Sequence, residues 1–149
     1  MKKLLLLPLL LFLISCSSEE TPSNKIVGTW AFTGVTEVTA SGIEKETVAG
    51  ECAQKTKITF KNNGDFIQMD YYYSYNSLEC ILNERALNHE MVWEEIADGD
   101  YRIFSEGSTG TVHKMIFPGK NTLWMVQSGD AYESNGVSYE YMAHVYKKK

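Results

Sequence analysis

The chain has 149 residues, of which 44% are hydrophobic and 22% are charged, and its formal net charge is −5 at pH 7. This length suits one globular domain. The acidic balance argues against nucleic acid as a partner and against lipid binding through a polybasic segment.

The first fifteen residues have the parts of an export signal. Lys2 and Lys3 give a positive start, and an apolar run follows over residues 4–14. The run is too short for a single-pass anchor, which needs about 20 apolar residues. The sequence Leu-Ile-Ser-Cys at 13–16 resembles the lipobox of bacterial lipoproteins, in which the cysteine is lipidated and becomes the first mature residue. An ordinary secretory signal is the alternative, but its cleavage does not require a cysteine at position 16.

This resemblance divides the start of the chain into residues 1–15, a signal peptide, and residues 16–25, a lipidated Cys16 followed by a polar, acidic and flexible tether. The acids after Cys16 are similar to the surface-export signal of Bacteroidota lipoproteins, although a plain linker explains them equally well. The implied partner is a membrane, bound through acyl chains such as palmitate. The implied location is the cell envelope, at the outer membrane, with the periplasmic and cell-surface faces both open.

Two cysteines remain after lipidation, Cys52 and Cys80. The oxidising compartment favours a disulfide between them, and two buried free thiols are the alternative. A bridge would close a loop of about 29 residues and stabilise the fold by roughly 3–4 kcal/mol. Neither cysteine lies in a C-x-x-C pair or at a zinc-binding spacing from histidine, so we predict no redox motif and no metal site.

Beyond Lys25 the chain has the pattern of short β-strands separated by turn residues. Asn63-Gly64 predicts a tight two-residue hairpin turn in which both residues have φ > 0, and Asp98-Gly99 and residues 118–121 predict further hairpins. A helical turn is expected only within 77–89. The predicted strands are Thr29–Thr39, Thr56–Phe60, Asp65–Tyr73, Glu90–Ala97, Asp100–Ser105, Gly110–Phe117, Thr122–Ser128 and Gly136–Tyr146.

Successive hairpins of this kind favour an all-β fold, a single antiparallel up-and-down meander of about eight strands. Closing the meander into a barrel removes the exposed strand edges.

Several short motifs, in this order, resemble the lipocalin-like domains of Bacteroidota lipoproteins. They are Ile26-Val27-Gly28-Thr29-Trp30, Cys52, Ile58-Thr59-Phe60, Asn63-Gly64-Asp65-Phe66, Trp93 (with Met91 where the family often has glycine), Asn121-Thr122-Leu123, and Tyr139 to Lys147. The resemblance implies a lipocalin-like barrel over residues 26–147, with Trp30 packed at its closed end. It implies architecture and location more than activity.

The sequence predicts no enzyme, no catalytic residue and no cofactor. No nucleophile elbow, zinc-protease, P-loop or dinucleotide motif is present. Glu94-Glu95 are strand neighbours that point to opposite faces, so they cannot form a catalytic dyad. The three histidines lie on separate predicted elements, and three aspartates suit turns better than calcium ligation: His89, His113 and His144, and Asp98, Asp100 and Asp130.

Aromatic side chains are the main functional signal. On the predicted strand, Tyr71 and Tyr73 share a face with Ile67 and Met69, as the wall of a ligand-lined barrel would. The candidate ligand-binding residues are Tyr71 and Tyr73, with Trp93, Trp124 and Tyr141 as further walls. Aromatic alternation more often indicates a filled core, because side chains fill small barrels, and we assign Trp30 to that core.

Two functions follow. The first is a membrane-tethered, non-catalytic lipocalin-like lipoprotein that binds a small apolar ligand in the barrel. The alternative is a surface-exposed module that contacts an unidentified protein or a glycan through its loops, with the tips of Tyr72 and Tyr75 as a stacking surface. A hollow interior favours the first, and a filled core with exposed aromatic side chains near 71–89 favours the second.

Overall fold

The computed structural model describes residues 24–42, 44–87, 90–128 and 131–149. The predicted signal peptide, Cys16 and most of the predicted tether lie outside the described residues, as do His89 and Asp130. Within the described ranges, no helix combines the length and the apolar character needed to cross a membrane.

The described chain is almost entirely β-structure. One turn of α-helix spans Glu84–Leu87, inside the segment where a helical turn is expected, and a 3₁₀ turn spans Ala53–Lys55. The strands are β1 (Gly28–Thr39), β2 (Glu44–Val48), β3 (Lys57–Phe60), β4 (Asp65–Met69), β5 (Tyr71–Ser74), β6 (Glu79–Leu82), β7 (Met91–Ala97), β8 (Asp100–Ser105), β9 (Thr111–Gly119), β10 (Thr122–Ser128), β11 (Tyr132–Ser134) and β12 (Val137–Lys148).

Eight strands form a closed antiparallel barrel in the order β1-β3-β4-β7-β8-β9-β10-β12, and β12 pairs back with β1. Two further strands lie outside the barrel, β2 beside β1 and β11 beside β12. Strands β5 and β6 form a separate two-stranded sheet. The predicted all-β barrel is confirmed, and every barrel edge is paired as closure requires.

The long strand β1 pairs with three neighbouring strands. It pairs with β12 along one edge, while on its other edge its first part pairs with β3 and its second part with β2. Gly34 lies where β2 begins to pair, and a Cβ atom there would collide with the Thr47 carbonyl. The missing side chain therefore lets β2 approach.

Glu37 ties both outer strands to the barrel. Its carboxylate accepts a hydrogen bond from the Tyr132 hydroxyl of β11 at 2.7 Å and lies 3.3 Å from the Lys45 ammonium of β2. The Tyr132 hydrogen bond, followed by Lys45, lowers the pKa of Glu37. One side chain of β1 thus contacts strands on either side of it.

Aromatic side chains fill the end of the barrel at which β1 begins, here called the closed end. Trp30 is fully buried and its Nε1–H donates to the Ile26 carbonyl at 2.7 Å. Phe60 packs against Phe66 and Trp93 with ring centroids 5.0 and 5.7 Å apart. The predicted core position of Trp30 is confirmed. Because the core, the barrel and the disulfide all lie within residues 26–148, the domain contains what it needs to fold alone.

Strand β4 is shorter than predicted and faces the other way. Phe66 is buried opposite Phe60, and Gln68 lies opposite Ile58, so these two side chains point inward. Ile67 is 38% exposed, and the prediction that it faces the interior is wrong. The chain leaves the sheet at Asp70, whose carboxylate accepts a hydrogen bond from Gln68 at 2.7 Å.

The turn at Asn63-Gly64 also differs from the prediction. Only Gly64 has a positive φ, of 89°, and Lys61 and Asp65 close the loop with an N–H···O bond of 2.9 Å. The hairpin therefore has a three-residue loop that ends in a left-handed glycine. The turn with two positive φ angles is Asn135-Gly136, at 53° and 76°, which joins β11 to β12 and was not predicted.

Candidate functional site

A cavity of about 200 Å³ remains at the opposite, open end of the barrel. Its deeper wall is apolar and its upper wall is polar, because the inward positions of several strands change from apolar to polar toward this end. The open-end cavity is lined by Ile58, Phe66, Gln68, Met91, Ile103, Thr111, His113, Met125, Gln127, His144 and Tyr146.

The two histidines of this cavity come from β9 and β12. Desolvation lowers the pKa of His113, and a hydrogen bond to the backbone of Val126 partly opposes the shift. Desolvation also lowers the pKa of His144, against the attraction of Asp70. Both rings are therefore neutral near pH 7, and each neutral ring offers one hydrogen-bond donor and one acceptor.

The polar side chains of the open-end cavity, Gln68, His113, Gln127 and His144, offer hydrogen-bond donors and acceptors. Among the residues that the structure describes, no group of three His, Cys, Asp or Glu side chains is placed to hold a metal ion.

The predicted ligand-binding residues lie elsewhere. Trp93 packs at the closed end, where its Nε1–H donates to the Lys61 carbonyl at 3.0 Å. Trp124 and Tyr141 belong to a second apolar cluster with Val145. Trp124 lies opposite Val145 while its neighbour Met125 lies opposite His144, so Trp124 faces the outside of the barrel. A ligand-binding role for these residues stays a prediction.

Tyr71 and Tyr73 are part of the separate hairpin formed by β5 and β6, here called the tyrosine hairpin. It is joined to the 3₁₀ turn by the disulfide Cys52–Cys80, whose Cα atoms are 5.4 Å apart. The predicted disulfide is confirmed. Tyr73 lies directly opposite Cys80, so the bridge holds the tyrosine-bearing strand against the turn.

A groove of about 560 Å³ lies between the tyrosine hairpin and the 3₁₀ turn. Its aromatic wall is well exposed: 52% of Tyr72 and 46% of Tyr73 are accessible to solvent. Tyr75 is more exposed still and packs edge-on against Tyr73 at 5.4 Å. This tyrosine groove is lined by Gly50, Glu51, Cys52, Ala53, Lys55, Tyr71, Tyr72, Tyr73 and Cys80.

The tyrosine groove carries no net charge. Glu51 and Lys55 are the charged residues among its described lining, and their charges cancel. A neutral groove with aromatic walls and a few polar edges suits an uncharged ligand that has both apolar and hydrogen-bonding faces.

Sequence reasoning missed the polar lining of the open-end cavity. From the sequence, His113 and His144 are treated as catalytic or metal candidates on separate strands, and Gln68 and Gln127 are given no role. A signal was present in β10, where Leu123, Met125 and Gln127 alternate and so face one side. The register that brings these side chains together is not visible in the sequence.

No family model, no curated protein and no solved structure matches the chain.

Proposed function

We propose that this protein is a non-catalytic, lipid-anchored binding module of the cell envelope, with a lipocalin-like barrel, that holds a neutral glycan in the tyrosine groove. The observation that carries the proposal is the groove itself. Its volume of about 560 Å³ and its three tyrosines, held beside a disulfide, match the size and lining of small-ligand sites.

Tyrosine rings suit a sugar because both partners are amphipathic. The ring face of Tyr72 or Tyr73 packs against the apolar C–H face of a pyranose, and the phenol hydroxyl reaches the sugar's hydroxyl edge. The disulfide limits the motion of the wall, so less conformational entropy is lost on binding. The balanced charges of Glu51 and Lys55 favour an uncharged sugar.

A glycan fits better than a protein partner. Stable protein interfaces bury about 800 Å² on each side and are broad. The tyrosine groove is a small concavity bounded by the 3₁₀ turn and one short hairpin.

The envelope location and the lipocalin-like relationship rest on the lipobox-like motif and on the order of the short motifs between Ile26 and Lys147. The eight-stranded antiparallel barrel supports the lipocalin-like relationship.

The test is a glycan array followed by calorimetry, with residues 17–149 carrying the intact disulfide. We expect binding to neutral glycans, weakened about tenfold by Tyr72→Ala or Tyr73→Ala. Val112→Ala, an exposed apolar position on β9, is the control and should bind like the wild type. Failure to bind any neutral glycan, or equal binding by all three variants, would refute the proposal.

A second candidate, a small ligand in the barrel, is favoured by the open-end cavity. The filled closed end leaves about 200 Å³, so the ligand would be small, and Gln68 and His144 would contact its polar edge. Native mass spectrometry of the domain purified gently from its own envelope should then show a bound mass that disappears on denaturation. His144→Phe would fill the cavity and remove that mass, and a bare chain at every condition would exclude this candidate.

A further inference from the structure

A further concave surface lies at the closed end, beside the start of β1. It has a volume of about 540 Å³ and an apolar floor that includes Val27 and Phe117. Three lysines stand around it. This lysine pocket is lined by Asn24, Lys25, Val27, Asn62, Phe117, Gly119, Lys120 and Lys148.

The lysine pocket is positively charged although the whole chain has a net charge of −5. Lys25 and Lys120 are exposed, and no aspartate or glutamate is among the described residues that line the pocket. Lys148 lies with its ammonium 5.1 Å from the centroid of the Trp30 ring, a cation–π contact that fixes its position.

Acidic side chains lie on the flank of the pocket and not in it. Glu95 and Asp98 border a neighbouring depression that also includes Lys25. Glu95 already accepts hydrogen bonds from Asn24 at 3.1 Å and from Tyr101 at 3.2 Å. The lysine pocket therefore presents its positive charge without a carboxylate inside it.

The preceding chain enters the domain at the rim of this pocket. Asn24, the first described residue, lines it, and its carbonyl accepts a hydrogen bond from Val27. Cys16 is eight residues earlier, and eight extended residues span at most about 29 Å. A bilayer that held lipidated Cys16 would therefore lie within about 29 Å of the lysine pocket.

We propose that the lysine pocket is a second membrane contact, which binds the anionic phospholipid headgroups of the bilayer that holds the anchor. Each lysine near an anionic bilayer surface is attracted to that surface, and the attraction falls off within about a Debye length. The nearby anchor also raises the effective concentration of the lysines at the surface. The closed end then faces the membrane. The open-end cavity and the tyrosine hairpin, which follows the open end of β4, face away from it.

The inference uses the proposed lipid anchor to choose the partner, but the contact is tested without it. Residues 17–149 are mixed with vesicles of phosphatidylcholine alone or of phosphatidylcholine with phosphatidylglycerol, and bound protein is measured by co-sedimentation. We expect binding only to the anionic vesicles, and weaker binding at high salt.

The decisive comparison is between two triple variants that remove the same charge. Lys25→Gln, Lys120→Gln and Lys148→Gln together should weaken binding about a hundredfold, at about fivefold for each lysine. Lys45→Gln, Lys57→Gln and Arg102→Gln together, on other surfaces, should weaken it far less. The double variant at Lys25 and Lys120 spares the Trp30 contact and should still lose more than tenfold.

Equal losses in the two triple variants, or binding without preference for anionic vesicles, would overturn the inference. Failure of the lipid anchor would be seen separately, by fractionation of a Cys16→Ala chain, and failure of the glycan proposal by the array.

Discussion

At the scale of single residues, two glycines show how local geometry constrains this fold. Gly107 and Gly110 lie in the same β8–β9 connection, with φ of 80° and 68°. A Cβ at Gly107 would meet open space, whereas one at Gly110 would run into Phe104 and, at 2.6 Å, the Ile103 carbonyl oxygen. The first position needs only a left-handed backbone, and the second also needs the absence of a side chain.

We therefore expect different costs for the same substitution. Gly107→Ala should lower the free energy of unfolding by about 1–2 kcal/mol, the cost of a left-handed alanine. Gly110→Ala should cost clearly more, because backbone atoms must also move. Urea denaturation of both variants would measure this, and equal costs would show that the crowding at Gly110 is relieved without strain.

The cavity histidines predict a pH dependence. Because burial lowers the pKa of His113 and His144 in the folded state, the unfolded chain binds more protons below their ordinary pKa of 6.5. The free energy of unfolding should therefore be highest above pH 7 and should fall as the pH drops from about 7 to 5. Denaturation curves of the wild type and of His113→Gln/His144→Gln would show the slope in the first and a flatter profile in the second. The same slope in both would contradict this assignment.

Residue patterns predicted which side chains are buried better than they predicted which face of a strand points into the barrel. The resemblance implies that Trp30 lies in the core, and its full burial confirms this. The inward face of β4 was predicted wrongly, because alternation defines two faces and only the pairing of Phe66 with Phe60 decides which one is inside. Phe60 is itself packed against Trp93, which lies on another strand far away in sequence.

At the scale of elements, the strands with strong alternation were predicted and the weak ones were not. Strand β2 has the sequence EKETV and every one of its residues is exposed, so it carries no apolar pattern. Strand β11 has three residues and depends on the Asn135-Gly136 turn. Each outer strand pairs with a part of a long barrel strand, β1 or β12, that extends beyond its barrel neighbour, and no local sequence signal reports that overhang.

The tyrosine hairpin is an element that depends on its disulfide. It pairs with no barrel strand, and Cys80 joins it to Cys52 across 28 residues. We expect Cys80→Ser to lower the free energy of unfolding by roughly 3–4 kcal/mol, on the chain-entropy account. Wild-type and variant chains should then give the same denaturant midpoint in the presence of reductant. Identical midpoints for the two chains without reductant would show that the bridge adds nothing to stability.

At the scale of the whole molecule, the two ends of the barrel differ in chemistry. The closed end is filled with aromatic side chains and bordered by the lysine pocket, while the open end carries the neutral histidines and the tyrosine hairpin. The overall architecture was predictable because hairpin spacing limits the arrangements of an all-β chain. The difference in side-chain chemistry between the two ends was not predictable, because it arises from the register of eight strands.

The proposed anchor predicts where the protein is found in the cell. A Cys16→Ala chain should move from the membrane fraction to the soluble fraction, because its acyl chains are lost. Membranes should be washed at high salt, which screens contacts made by the lysine pocket. Wild-type protein treated identically is the control, and unchanged partitioning of the variant would refute lipidation at Cys16.

Closure of the barrel has a consequence for the order of events during synthesis. Strand β12 ends at Lys148, and its pairing with β1 joins the first barrel strand along the chain to the last one. The N–H of Lys149 also donates to the Thr29 carbonyl at 3.0 Å. Until residues 137–148 emerge, β1 and β10 each keep an unpaired edge that is open to other chains. A premature stop before residue 137 would therefore leave an unclosed, aggregation-prone sheet. A nascent chain needs protection from aggregation until β12 has been synthesised.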